Sequence, residues 1–336
     1  MSFEPFTCID AGSEFCPCHL AETGDCILCN NLNKSCNQCH CPHWKGVCIY
    51  QEFAWNGYKA KEGRKYFKGT VVDKIRHNEN LFVLVIKTDD YLVRNLTSIG
   101  SYVFLRRPED KPMFGSPISI MDVNTKENQI IVAIEKKGVK TEKLFMLEKD
   151  DEILVKGPFW NGVLGLRHYD NLKNETCILI CRGIGAAPLI PILKRLHNQN
   201  NDVIAVIDNG HYDHCFIKEY LNRYAKEAYF INTFDKGNLP KEFQQFLINT
   251  ILERKPALVH CSCLDVVNYK TMRVVDKINA ENTMPEIKFT CCNNAKMCCG
   301  EGVCGCCTLR NNDDLVRRMC KMQTDPKYIF EGRRLY

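Results

Sequence analysis

The chain has 336 residues, of which 45% are hydrophobic and 25% are charged, so it can build two or three domains with ordinary cores. Its formal net charge of +5 is small and no basic block stands out, which argues against a nucleic-acid-binding protein. No run of about 18 apolar residues is present, so the sequence predicts no membrane-spanning helix.

Cysteine is the unusual component: the chain has 22, with nine in residues 1–48 and eight in residues 291–320. The first residues contain acids and lack the apolar segment that a secretory signal needs. In a reducing compartment, clustered cysteines are more often ligands of metals or iron–sulfur clusters than halves of disulfides. We therefore expect a cytoplasmic protein with metal centres at both ends of the sequence.

Four domains are predicted in chain order. Residues 1–60 are rich in cysteine and poor in periodic apolar positions, so this segment is expected to need a metal to fold. Residues 61–165 contain short runs rich in Val, Ile and Phe between turn-formers, which predicts an antiparallel β-barrel. Residues 166–288 alternate apolar strands with helices, which predicts a doubly wound parallel α/β sheet. Residues 289–336 form the second cysteine-rich segment.

The boundaries of the individual elements follow from the same patterns. The predicted barrel strands are 70–75, 81–87, 101–105, 117–123, 129–135 and 152–157. The predicted α/β strands are 177–181, 203–208, 228–234 and 257–262, and the predicted helices are 187–199, 215–227, 239–254 and 264–281.

The strongest motif is a C-x4-C-x2-C-x12-C spacing near the end of the chain, formed by Cys299, Cys304, Cys307 and Cys320. This is the plant-type spacing of [2Fe–2S] proteins, in which one tight loop supplies three thiolates and a later segment supplies the fourth. Neighbouring cysteines offer alternative ligands, namely Cys291, Cys292, Cys298 and Cys306. A zinc site or a set of reduced thiols is the alternative reading.

Three further segments have the chemistry to bind a nucleotide and a flavin. A strand ends at a turn with Gly183, Gly185 and Ala186, where the backbone can approach a pyrophosphate at a helix N-terminus. One strand offers hydroxyls and amides to an isoalloxazine edge, and a later segment offers amides and a lysine to phosphates. These residues are Ser116, Pro117, Ile118 and Ser119 for the ring, and Gly138, Val139, Lys140 and Thr141 for the phosphates. Each segment is also an ordinary strand end or turn.

The order of these motifs resembles the ferredoxin–NAD(P)+ reductase-like family. Within it the chain is most similar to the electron-transfer subunits of dihydroorotate dehydrogenase and to sulfide dehydrogenase-like proteins. The resemblance covers residues 64–325. It implies FAD against the strand at 116–120, with its phosphates toward 138–141 and Arg106, NAD(P) at 183–186, and a [2Fe–2S] cluster on the four motif cysteines.

Three positions depart from the family's pattern. The arginine that usually precedes Pro-Ile-Ser is replaced by Ser116, which leaves Arg106 and Arg107 as substitutes. Arg182 stands where a small residue is usual. The usual Cys-Gly-Pro-x-x-Met beside the nicotinamide is replaced by the sequence at 261–265. These departures affect the prediction of NAD(P) more than that of FAD.

The N-terminal cysteines lie outside the resemblance. They occur in pairs, as in sites with four ligands, and spacing does not decide between a [4Fe–4S] cluster and zinc. The predicted ligands are Cys16, Cys18, Cys26, Cys29, Cys39, Cys41 and Cys48, with Cys8 and Cys36 as free thiols.

The sequence therefore predicts an electron-transfer iron–sulfur flavoprotein. It would move electrons between NAD(P)H or ferredoxin, FAD and a partner oxidoreductase, through a [2Fe–2S] cluster. Two alternatives stay open: a relay from ferredoxin that uses no pyridine nucleotide, and a metal-binding scaffold or sensor without enzymatic activity. No acid–base catalytic residue is predicted.

Overall fold

The computed structural model describes residues 6–33, 39, 46–281, 285–310 and 316–330. Cys36 and Cys41, which the sequence analysis singled out, lie outside these ranges. The chain forms two compact units. Unit 1 comprises residues 1–66 and 295–332, and unit 2 comprises residues 67–294 and 333–336. Both cysteine-rich ends of the sequence therefore contribute to one unit.

The N-terminal part of unit 1 contains short elements joined by turns. These are β1 (Thr7–Cys8), α1 (His19–Thr23), α2 (Asn30–Asn33) and α3 (Ile49–Trp55). A small apolar cluster of Ala21, Cys29, Leu32 and Phe53 packs between the helices. Other apolar side chains of this segment are also buried, among them Phe15, Leu20 and Ile27.

Unit 2 begins with an antiparallel sheet. Its elements are β2 (Tyr66–Arg76), β3 (Leu81–Lys87), α4 (Asp90–Asn95), β4 (Tyr102–Arg106), β5 (Ser116–Ser119), β6 (Asp122–Asn124), β7 (Gln129–Glu135), α5 (Val139–Phe145) and β8 (Glu152–Phe159). The strand order is β5-β4-β8-β2-β3-β7-β6. Between β5 and β6 the backbone N–H of Met121 donates to the Ile131 carbonyl in β7 (2.9 Å), so the sheet curls toward a barrel.

The prediction of one strand over 117–123 is wrong in detail. The chain breaks into β5 and β6 at Ile120 and Met121, whose side chains are both buried. The backbone N–H of Ile120 donates to Ser101, just before β4, whereas that of Met121 donates to Ile131 in β7, so the chain changes its partner strand there.

The α/β part of unit 2 follows. Its elements are β9 (Val163–Leu164), β10 (Thr176–Arg182), α6 (Ala186–Asn198), β11 (Asp202–Asp208), α7 (Lys218–Tyr224), β12 (Glu227–Phe230), α8 (Lys241–Arg254), β13 (Leu258–Ser262), α9 (Asp265–Glu281) and β14 (Lys288–Cys292). The strand order is β12-β11-β10-β13-β14-β9, and only β9 pairs antiparallel. The predicted antiparallel and parallel sheets are both confirmed.

Two polar contacts join the layers of unit 2. Asp122 of β6 accepts hydrogen bonds from Lys194 Nζ of α6 (2.6 Å) and from Tyr220 Oη of α7 (3.1 Å). The barrel and the α/β sheet therefore meet along these helices.

The chain ends within unit 1 with β15 (Thr308–Arg310), β16 (Val316–Arg318), β17 (Met322–Gln323) and α10 (Lys327–Phe330). Strand β17 pairs antiparallel with β1, with Cys8 opposite Met322. Within the described ranges, no helix has both the length and the apolar character that crossing a membrane requires.

Candidate functional site

The nucleotide turn lies where the strand order of the parallel sheet reverses. Strands β11 and β12 lie on one side of β10, and β13 and β14 lie on the other. Open α/β sheets bind ligands in the crevice outside the carboxyl ends of such strands. The turn at Gly183–Gly185 follows β10 and leads into α6 at Ala186, so the three predicted nucleotide residues stand at this crevice.

Arg182, the last residue of β10, forms an ion pair with Asp208, the last residue of β11. Asp208 also accepts hydrogen bonds from the backbone N–H of Thr233 (2.7 Å), from its hydroxyl (2.8 Å) and from the backbone N–H of Gly210 (2.8 Å). In dinucleotide-binding folds, an acidic residue in this region binds the ribose hydroxyls. In this protein, both oxygens of the Asp208 carboxylate already have partners within the chain.

The predicted flavin and phosphate segments are close together. Ser116–Ser119 form β5, an edge strand of the sheet, and Gly138 immediately precedes α5. Lys140 Nζ donates to the carbonyl of Gly115 (3.0 Å), so α5 is tied to the start of β5. A Cβ added at Gly138 would have no heavy atom within 4 Å, which leaves open space beside this backbone.

Arg106 and Arg107 both support the turn after β4. Arg106 Nη1 donates to the carbonyl of Asp110 (2.6 Å), and the Arg107 guanidinium pairs with the Asp110 carboxylate (3.0 Å). Lys143 of α5 pairs with the same carboxylate (2.6 Å). These contacts fix the turn next to α5.

The C-terminal cysteines form two groups. The sulfurs of Cys298, Cys304 and Cys306, all exposed, lie within 4.8 Å of one another. The second group is Cys299, Cys307 and Cys320, of which Cys307 and Cys320 are buried. Three of the four predicted [2Fe–2S] ligands are thus in one group, and Cys304 is in the other.

Hydrogen bonds to sulfur mark the second group as a thiolate site. The backbone N–H of Cys320 donates to Cys307 Sγ (3.4 Å), and that of Glu301 donates to Cys299 Sγ (3.3 Å). The Cys320 thiol donates to the Cys307 sulfur, which lowers the pKa of Cys307 to about 6 and raises the pKa of Cys320. N–H donors of this kind also surround the sulfurs of iron–sulfur clusters.

The N-terminal cysteines form two groups that adjoin at Cys26 and Cys29, since the Cys29 thiol also raises the pKa of Cys26. Cys8, Cys16, Cys18 and Cys26 line a small, largely enclosed cavity. Burial raises the pKa of Cys16 to about 12 and that of Cys26 to about 11. The pKa of Cys29 is raised by burial and then by the nearby thiols of Cys48 and Cys39. Cys41 lies outside the described residues.

Comparison with known proteins gives matches to curated relatives and to solved structures. No family model matches it. The dihydroorotate dehydrogenase B (NAD(+)) electron-transfer subunit of Clostridium acetobutylicum is 27% identical over 262 residues, which are 76% of this chain and 93% of that protein. The Streptococcus pneumoniae serotype 4 subunit is 25% identical over 224 residues, 66% of this chain and 84% of that protein. The predicted resemblance is confirmed.

Solved structures agree at the level of the fold. An NADH-dependent reduced ferredoxin–NADP oxidoreductase matches with a TM-score of 0.54 at 18% identity, over 79% of this chain and 94% of that one. A Neisseria gonorrhoeae ferredoxin–NADP+ reductase with bound FAD and NADP matches with a TM-score of 0.50 at 14% identity, over 68% and 98%. The curled sheet followed by the α/β sheet is therefore a ferredoxin–NADP reductase-like fold.

Sequence reasoning missed a buried group of four charged residues in unit 1. Arg64 Nη2 pairs with Asp10 (2.7 Å) and Arg64 Nη1 pairs with Glu301 (3.0 Å). Lys321 Nζ pairs with Asp10 and with Glu301 (3.1 Å). The Lys321 side chain is fully buried, and the Arg64 guanidinium also lies over the ring of Phe15 (4.0 Å). The available signal was that Glu301 lies within the cysteine loop and Lys321 follows Cys320.

The close packing at Gly185 gives a prediction for stability. A Cβ at this position would lie 2.0 Å from the carbonyl oxygen of Ser262, at the end of β13. Because backbone must move to relieve this contact, Gly185→Ala is expected to destabilise unit 2 by about 1–3 kcal/mol or more. Denaturant unfolding followed by circular dichroism measures this.

Gly138→Ala is the matched control, since the Cβ meets open space there. We expect its effect to stay within about 0.5 kcal/mol. Equal unfolding midpoints for the two variants would show that the turn and β13 do not pack as described. If NAD(P)H fails to reduce the flavin of a Gly185 variant, the stability of that variant has to be measured before the failure is attributed to lost nucleotide binding.

Proposed function

We propose that this protein is an electron-transfer iron–sulfur flavoprotein that passes electrons through FAD and a [2Fe–2S] cluster to a partner oxidoreductase. One observation carries the proposal. A single chain joins a ferredoxin–NADP reductase-like fold to a C-x4-C-x2-C-x12-C segment, and its relatives are named as electron-transfer subunits. Fold alone does not define a function, so the site residues provide the remaining support.

The residues of the barrel fit a flavin. β5 is an edge strand in which Ser119 is partly exposed and Ser116 is buried, and the backbone at Gly138 faces open space. Because Lys140 links α5 to β5, both predicted segments are positioned for one ligand. When bound, FAD would supply the exchange between two-electron and one-electron transfer. We assign the ring to residues 116–119 and the phosphates to residues 138–141, with Arg106 nearby.

The C-terminal cysteines fit a thiolate-bound cluster. The N–H groups of Cys320 and Glu301 already donate to ligand sulfurs and would stabilise negative charge on them. We assign the cluster to four thiolates, those of Cys299, Cys304, Cys307 and Cys320. Cys298 and Cys306 are the competing ligands, because their sulfurs lie near Cys304.

The proposed NAD(P) site has one feature that favours nucleotide binding and one that opposes it. Backbone amides of Gly183, Gly185 and Ala186 stand at the start of α6, where a pyrophosphate would bind. Yet the Asp208 carboxylate is engaged by Arg182 and Thr233. This observation favours the second candidate function, a relay that receives electrons from ferredoxin without a pyridine nucleotide.

The N-terminal cysteines would hold a second metal centre, a [4Fe–4S] cluster or zinc. Both cysteine-rich ends of the sequence contribute thiols to unit 1. Clustered thiols support a location in the reducing cytoplasm. A metal-binding scaffold or sensor is the remaining alternative, and it would bind no flavin.

Stopped-flow mixing distinguishes these functions. The anaerobic, full-length protein is mixed separately with NADH, NADPH and reduced ferredoxin, and the flavin absorbance is followed. We expect at least one donor to bleach the flavin within seconds, followed by reduction of the [2Fe–2S] cluster. Reduction by ferredoxin alone would identify the relay. A protein that contains no flavin would contradict the proposal and favour the scaffold.

A further inference from the structure

Cys8 lies apart in sequence from the predicted N-terminal ligands, but it faces the same cavity as three of them. The cavity is lined by the cysteines Cys8, Cys16, Cys18 and Cys26, together with apolar side chains such as Leu20 and Ile27. Four thiols around one largely apolar space are an unusual arrangement, because free cysteines otherwise disperse through a core as small hydrophobic residues.

The backbone holds these cysteines in place. Cys8 is in β1, which pairs with β17, and the N–H of Ile9 donates to the carbonyl of Lys321 (2.8 Å). The N–H of Cys16 donates to the carbonyl of Ser13 (3.1 Å), in the turn that separates Cys8 from the next two cysteines. Cys26 Sγ accepts the N–H of Cys29 (3.4 Å), the kind of donor that stabilises a thiolate.

We infer that Cys8, Cys16, Cys18 and Cys26 bind one iron–sulfur cluster, separate from the group that contains Cys29, Cys39 and Cys48. This inference rests on the proposed N-terminal metal centre and narrows it to four ligands and one metal type. It also gives Cys8, predicted to be a free thiol, a role as a ligand.

The spacing of the sulfurs does not match a site for a single ion. Tetrahedral zinc at about 2.3 Å from each sulfur places its ligands about 3.8 Å apart. Cys298, Cys304 and Cys306 approach that spacing, whereas no three of the four cavity sulfurs lie within 4.8 Å of one another. All four cavity cysteines are among the residues that the structure describes. A cluster of several irons has its ligands further apart.

Charges of both signs lie beside the cavity. Asp10 is part of its lining, and the buried ammonium of Lys321 interacts electrostatically with the thiols of Cys8 and Cys18. Lys321 itself is held by Asp10 and Glu301. A cation fixed in this position would stabilise thiolates and the negative charge of a cluster.

The β1–β17 pairing also brings Cys8 near the C-terminal cysteines. Cys8 lies opposite Met322, two residues after Cys320. Cys320 itself lies in the turn that leads into β17. A cluster in the cavity would therefore lie near the proposed [2Fe–2S] site and could exchange electrons with it.

The test uses the full-length protein, purified anaerobically, with iron, zinc and acid-labile sulfide measured per chain. Cys8→Ala and Cys26→Ala are each expected to lose about four iron and four sulfide, as for a [4Fe–4S] cluster. Cys215→Ala in unit 2 is the matched control and should keep that iron. Unchanged iron in Cys8→Ala would overturn the inference, as would zinc lost from that variant in place of iron.

A measurement on the unmodified protein covers the case in which a variant does not fold. Iodoacetamide labelling and mass spectrometry are carried out during stepwise removal of iron by a chelator. We expect the four cavity cysteines to become reactive together as the iron leaves. Reaction of Cys8 before any iron leaves would overturn its assignment. A failure of the proposed function is seen separately, as a lack of FAD in every sample.

Discussion

Cys304→Ser is expected to abolish the EPR signal of the reduced [2Fe–2S] cluster while FAD stays bound. Serine lacks the thiolate that the cluster requires, and the plant-type spacing makes Cys304 the second of three ligands in one loop. The flavin segments are in unit 2, whereas Cys304 is in unit 1. EPR of the dithionite-reduced protein, with extraction and quantification of flavin, measures both effects.

Cys298→Ser and Cys306→Ser are the controls for this experiment, and both should keep the signal. They are demanding controls, because the sulfurs of Cys298 and Cys306 are those that lie within 4.8 Å of Cys304. A signal that survives in Cys304→Ser but disappears in Cys306→Ser would move the ligand set to the exposed group.

Lys321→Met should destabilise unit 1 by about 3–5 kcal/mol, since it leaves the carboxylates of Asp10 and Glu301 with Arg64 as their one remaining cation. Lys321 pairs with Asp10 and Glu301, and the side chains of Lys321 and Asp10 are buried. Methionine keeps the length of the side chain, so the loss of charge is the main change. Hydrogen exchange of unit 1 amides, at matched metal content, measures the effect, with unit 2 amides as the internal reference.

The double variant Lys321→Met, Glu301→Gln is the control. It removes one positive and one negative charge and leaves the pair between Arg64 and Asp10 (2.7 Å). We expect it to recover most of the lost protection. If Lys321→Met exchanges like the unmodified protein, the charged group does not stabilise unit 1.

The same charges predict a dependence on pH. Burial raises the pKa of Asp10 and of Glu301, but the charges of Lys321 and Arg64 outweigh it and hold both below their usual values. Carboxyls with lowered pKa values add stability above their ordinary pKa of about 4, and that stability is lost as the pH falls below it. In Lys321→Met, this loss of stability should begin at a higher pH, because the charge of Lys321 no longer lowers the pKa of the two carboxyls.

The sequence predicted the regular elements well because their patterns are local. Strands β3 and β7 agree with the predicted 81–87 and 129–135 at both ends. The long helices agree to within one or two residues. These segments have apolar residues at the period of their own secondary structure, which no distant contact needs to override.

Features that depend on distant residues were beyond the sequence. Asp10 and Lys321 are 311 positions apart, and although Lys321 follows Cys320, nothing in the sequence pairs it with Asp10. Cys8 was assigned as a free thiol, whereas the pairing of β1 with β17 is what fixes its position. Arg182 is unusual at its position in the sequence, but its ion-pair partner Asp208 lies at the end of the neighbouring strand and could not be identified from the sequence.

A reductive titration of the anaerobically purified protein tests the central claim most directly. Absorbance and EPR are recorded together as dithionite is added, and flavin and iron are quantified in the same sample. We predict stoichiometric FAD that bleaches and a [2Fe–2S] EPR signal that appears as electrons are added. A protein with neither bound flavin nor a [2Fe–2S] signal would contradict the assignment of this chain as an electron-transfer flavoprotein.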